Sequence, residues 1–362
     1  MFLVVDCDLK KLKIWGFQES RKGLSVKFFT EDLDELTDVA NLQRYIYKIS
    51  GRVNIKAISF RILFGGDYFK KAELVNSSFL RKFEKLTEFF PFYIPTMSAL
   101  LKKFLKIFKQ IPLIAFFETA FFTKLPNEER YYALPFEYHK KIGIKKWGFH
   151  GIFHEANAQI LPHNYKIISI VIDKQTTVCS ISRNRPLSIS LGYTPLEGIM
   201  SRRSCGDIDP GIVFYLMKTH NFSIYQIDEI LKNKSGFLGL TGYDIELSDM
   251  FKLRGKDAKV DLAFDVYQTQ IIKHIGKAIT ILGELDAIVF AGGYLTTVAS
   301  LIRDIIKQIS FLGIHTVGLP WDESKKISIV TSKESKIKVY INKMELPEVL
   351  YRQTQKFLQN IT

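Results

Sequence analysis

The chain opens on two short apolar runs, FLVVD (2–6) and KLKIWGF (11–17), separated by a polar turn. Runs of that length around a short polar break predict a β-hairpin. The pattern returns at 167–192, where IISIVI, a polar turn at 173–176, VCSIS and PLSISLG follow one another. Two further strands are predicted at ISFRILFGG (58–66) and DAIVFAGG (286–293). Ile271, Ile272, Ile275, Ala278 and Ile279 recur at helical spacing and predict a long helix over about 265–284. Other helices are predicted at 295–312 and 346–362. Each half thus starts with a strand meander and continues in helices and strands. That order predicts an α/β protein, and 362 residues suit two domains.

Composition narrows the classes. At 47% hydrophobic, the chain can bury sizeable cores. Cys7, Cys179 and Cys205 are few and far apart, which argues against a disulfide framework or a Cys-rich zinc site and for a reducing compartment, the cytoplasm. The N-terminus runs straight into an apolar strand without a signal-peptide pattern. The Phe-rich stretch 89–122 has as its longest uncharged run Phe89 to Leu101, interrupted by Pro91 and Pro95. It is too short for the ~20 apolar residues a membrane-spanning helix needs. The net charge of +14 is spread over scattered lysine clusters without an RNA-binding or zinc-finger motif, so solvated faces are expected rather than nucleic-acid binding.

Two long phrases carry more information. Residues 188–217 read SISLGYTPLEGIMSRRSCGDIDPGIVFYLM, a strand, a tight turn, an acidic loop and a helix opening at Pro210. Residues 131–154 read YYALPFEYHKKIGIKKWGFHGIFH. Together they resemble the acetate and propionate kinase (acetokinase) family, which carries G-F-T-P-L-E-G-L-M and S-G-D-I-D-P. The resemblance implies a two-domain fold of the actin, sugar-kinase and heat-shock-chaperone ATPase (ribonuclease H-like) class. Expected domains are 1–145 with 346–362, the last helix packing back on the first domain, and 146–345. It implies transfer of the ATP γ-phosphoryl to acetate or propionate with Mg²⁺, and a homodimer or a heterodimer with a related kinase.

Carried over position by position, the resemblance also implies a site. The family's first hairpin, N-C-G-S-S-S-L-K, falls on residues 6–13, with Asp6 at the metal-facing position and Lys13 at the lysine. Its glycine is replaced by Asp8, which puts a negative charge where a phosphate would lie. The second hairpin, H-L-G-N-G, falls on 171–175, where Asp173 and its neighbours replace both glycines. The adenosine loop G-I-G-E-N falls on 293–297 and keeps Gly293, while Glu246 and Ser248 stand near the base. The metal carboxylate of the C-terminal T-N-E-E-L becomes Met344. On the acceptor side, Arg61 matches the carboxylate-binding arginine, Glu118 the catalytic Asp, His150 the transition-state histidine, and Tyr93 a histidine. The family's transition-state arginine falls on Ser204, and Arg203 stands one residue earlier.

Several of these residues have a plainer reading. Arg61 is read either as a substrate ligand or as the partner of Glu118 in an internal ion pair. His150 either takes part in catalysis or holds the GFHG turn. His150 and His154 are four apart, yet no third ligand is near in sequence, so zinc is not expected. Asp209-Pro210 is a helix start. A missing oxyanion donor typically costs about 10²–10³ in rate, and a transition-state arginine roughly 10³–10⁵. The expectation is a family fold with impaired or absent kinase activity, or a non-catalytic partner of a genuine acetate kinase.

Overall fold

A computed structural model describes residues 1–20, 23–36, 38–51, 53–317, 321–322 and 324–361. Contacts divide the chain into two units, Met1–Thr123 with Glu345–Thr362, and Lys124–Met344.

The first unit is built on a six-stranded sheet. Its strands are β1 (Phe2–Cys7), β2 (Lys11–Ser20), β3 (Gly23–Asp32), β4 (Ala57–Ile62), β5 (Glu73–Leu74) and β6 (Leu113–Phe117), in the order β3-β2-β1-β4-β6-β5. β1 and β2 pair antiparallel from Phe2–Phe17 to Cys7–Leu12, so the predicted hairpin is present, and β4 joins β1 in parallel. The sequence pattern predicts a meander here but names only two of its strands; β3 is the third. Most of β3 is exposed on both faces, so its polar and apolar residues carry no buried alternation to read. The Phe-rich stretch resolves into the helix Tyr93–Ile107 and the fully buried β6. The C-terminal helix Leu346–Gln359 packs on β1 and β4, with Tyr351 stacked on Phe17 at 4.7 Å between ring centres.

The second unit repeats the plan. Its strands are β7 (Lys166–Ile172), β8 (Thr176–Ser182), β9 (Arg185–Ile189), β10 (Ala287–Ala291), β11 (Ile327–Ile329) and β12 (Lys338–Asn342), in the order β11-β12-β10-β7-β8-β9. β7, β10 and β12 run parallel with almost wholly buried residues, as expected of strands covered on both faces. The helix predicted over 265–284 runs earlier, from Ala258 to Leu282, because Asp257 caps it by accepting the Lys259 and Val260 amides. The helix predicted over 295–312 is shorter, Ala299–Gln308, followed by a single 3₁₀ turn. Helix Pro210–Thr219 starts where Asp209-Pro210 predicts, with the Asp209 carboxylate accepting the Gly211 amide. No described helix is long and apolar enough to cross a membrane.

Candidate functional site

Parallel neighbours β1, β4 and β6 end side by side, and three candidate residues meet there. Arg61 on β4 donates from Nε to Glu118 Oε1 at 2.5 Å, and its Nη1 lies 3.4 Å from the Asp6 carboxylate. Glu118 follows directly on β6, with its amide on the Ile62 carbonyl and its side chain fully buried. Of the two readings of Arg61, the internal ion pair is present, and Asp6 joins it. The two carboxylates hold the Arg61 guanidinium above its ordinary pKa even against burial. Tyr93 is buried behind this group and accepts the Leu63 amide at 3.0 Å, which ties the backbone just past Arg61 to the helix Tyr93–Ile107.

The tip joining β1 and β2 is closed by its own aspartate. Asp8 Oδ1 accepts the backbone amides of Lys11 at 2.8 Å and Lys10 at 3.2 Å, and Lys13 Nζ stands 3.3 Å from Oδ2. Partial burial pushes the Asp8 carboxyl up, but the Lys11 and Lys10 amides and the Lys13 ammonium hold it below the usual range. The counter-charge to Asp8 therefore comes from the amides and Lys13 rather than from the lysine side chains at positions 10 and 11.

In the second unit, Asp173 sits at the tip between β7 and β8, its Oδ1 accepting the Lys174 amide at 2.7 Å. Gly293 lies beside it; a methyl group there would come 3.5 Å from the Asp173 carboxylate. The preceding Gly292 has φ +113° and presses against the Ile172 carbonyl, an approach no side chain permits. A cavity of about 270 Å³ opens next to this tip, lined by Asp173, Arg202, Arg203, Glu246, Tyr267 and Tyr294 among others. Arg203 is half-exposed and binds Asp244 through both Nε and Nη2. Arg202 reaches Asp244 and Glu246, and Tyr294 donates its hydroxyl to Glu246 at 3.2 Å.

His150 is elsewhere in the same unit. It is buried, in the left-handed region at φ 60°, and stands at the N-cap position of helix Gly151–Gln159 without a capping side-chain hydrogen bond. Its Nδ1 lies 3.0 Å from Thr177 Oγ1, which also meets His154 Nε2 at 2.9 Å. His154 is engaged by hydroxyls on both nitrogens, and the described residues hold no cluster of three or more His, Cys, Asp or Glu fit for a metal. Sequence reasoning passed over Ser169, Thr177, Asn157 and Asn342, all fully buried around these histidines. The available signal was a serine inside the otherwise apolar run IISIVI, since a buried hydroxyl needs a partner.

Comparison with known proteins decides the family. The acetokinase family model matches residues 10–349. The chain belongs to the acetokinase family. Among its relatives, an acetate kinase from Fervidobacterium nodosum is 31% identical over 327 residues, 86% of this chain and 80% of that protein. One from Halothermothrix orenii is 28% identical over 314 residues, 84% and 79% of the two chains. The crystal structure of Porphyromonas gingivalis acetate kinase superposes with a TM-score of 0.87 at 23% identity, over 99% of both chains. A propionate kinase from Francisella tularensis gives 0.82 at 24%, over 98% of this chain and 99% of that one. The acetokinase fold, a two-domain α/β architecture of the actin-like class, is therefore the fold of this chain.

Proposed function

We propose that this acetokinase-family protein is strongly impaired in, or has lost, ATP-dependent phosphoryl transfer to a short carboxylate. One observation carries the reading. The donors that the first hairpin would offer a phosphate, the Lys10 and Lys11 amides and the Lys13 ammonium, already converge on the Asp8 carboxylate. A nucleotide phosphate would have to displace an internal anion and then lie beside it.

The family's Mg²⁺ and acceptor positions agree with this. Asp6 lies against Arg61, and Met344 offers a thioether, a poor ligand for a hard cation that takes oxygen. Taken one by one, neither position offers Mg²⁺ an oxygen clear of a protein cation. Arg61, the expected carboxylate ligand, has two protein carboxylates as neighbours, so acetate or propionate would compete with both. The decisive experiment is a coupled assay of the purified chain with ATP, Mg²⁺ and acetate or propionate. The expected rate equals that of Arg61→Ala; turnover within the ordinary kinase range of about 1–100 s⁻¹ overturns the reading.

A second reading, a non-catalytic partner of another copy or of a related kinase in the cytoplasm, has its own support. Helix Pro210–Thr219 exposes Ile212, Phe214, Tyr215 and Met217. A cluster of this kind marks an interaction surface. Chain that sediments as a monomer at micromolar concentration, with or without a purified acetate kinase, would remove it.

A further inference from the structure

A buried hydrogen-bond chain in the second unit has one end whose direction is fixed. The Met344 amide can only donate, so the oxygen it meets at 3.1 Å is Asn342 Oδ1. That orientation turns Asn342 Nδ2 to Asn157 Oδ1 at 2.7 Å, and hence Asn157 Nδ2 to Ser169 Oγ at 2.8 Å. Ser169 accepts this hydrogen, and His154 Nδ1, at 2.7 Å, is the acceptor for its own. A neutral imidazole that accepts at Nδ1 carries its proton on Nε2. His154 therefore donates from Nε2 to Thr177 Oγ1, and the Thr177 hydroxyl hydrogen goes to His150 Nδ1. Each hydrogen is used once along the chain. Complete burial of His154, aided by His150 beside it, holds its pKa well below the ordinary value and keeps it neutral.

We propose that Asn342, Asn157, Ser169, His154 and Thr177 are positioning residues that hold His150 in its Nε2–H tautomer, so that its Nε2 is a donor and not an acceptor in whatever part the imidazole plays. That part rests on the family reading of His150. The tautomer does not, so it persists whether or not the chain turns over substrate. The five residues come from β7, β8, β12 and the helix Gly151–Gln159, and all are fully buried. The relay is thus part of the second unit's core.

The test is a long-range imidazole ¹H–¹⁵N correlation spectrum of the full ¹⁵N-labelled chain, with His150→Gln to assign the signals. The wild type should give one His150 species with protonated Nε2, and Thr177→Ser, which keeps the hydroxyl, should match it. Ser169→Ala does not touch His150, yet it frees His154 to reverse. Thr177 can then donate to His154, and a second His150 species with protonated Nδ1 should appear. A wild-type His150 protonated at Nδ1, a Thr177→Ser chain with a changed tautomer, or a Ser169→Ala chain with His150 unchanged would each overturn the proposal. Activity enters none of these readings, so failure here is distinct from failure of the proposed function.

Discussion

Both units hold arginine beside paired carboxylates, but the two clusters differ in their access to water. In the first unit, Arg61 is 15% exposed, its partner Glu118 is fully buried, and Asp6 is 17% exposed. In the second, Arg203 and Asp244 are 47% and 41% exposed. Solvent competes for the second pair and salt screens it, whereas the first depends on its partners for the hydration it lost. The difference separates a cation committed to the fold from one that a ligand could recruit at little cost. It also explains why Arg61, which the family motif marks as a substrate ligand, is so closely engaged by protein carboxylates here.

Removing one side of the buried cluster should produce the largest effect. Glu118→Ala takes from Arg61 the carboxylate 2.5 Å from its Nε and should lower stability by about 3–5 kcal/mol, read as a reduced urea midpoint. A loss below about 1 kcal/mol would mean that the buried cluster behaves like the exposed one. Next comes the hairpin tip, another internally neutralised group of the first unit. Asp8→Gly releases the Lys10 and Lys11 amides and Lys13, so the variant should gain stabilisation by MgATP that the wild type lacks. At a hundredfold excess over Kd that gain is about 2.7 kcal/mol, a rise of several degrees in Tm. Equal shifts in the two chains would detach the tip from nucleotide binding. The smallest effect belongs to the exposed cluster: Arg203→Ala should leave the urea midpoint in place. A marked destabilisation that survives 0.5 M salt would erase the contrast between the units.

Much of this was legible from sequence, for identifiable reasons. The β1–β2 hairpin, the Asp209-Pro210 helix start and the meander at 167–192 rest on local periodicity and on residues that act on their own neighbours. β3 was missed because an exposed edge carries no alternating burial. The ion pair of Arg61 and Glu118 was one of two readings, since residues 57 apart in sequence give no local sign of meeting. Asp8 was recognised as a misplaced charge. That its carboxylate gathers two backbone amides depends on the path of the turn, which composition does not encode.

The sequence by itself determined the family, the α/β class and the loss of glycine from the hairpin tips, because each is written in contiguous residues. Tertiary structure alone decided which charges face one another, and how dry their surroundings are. It also set the direction of hydrogen bonding into His150, through Asn342 on β12 and Ser169 on β7, two strands away. Those outcomes depend on distance and solvent access between segments far apart along the backbone. Only the folded sheet brings such segments together.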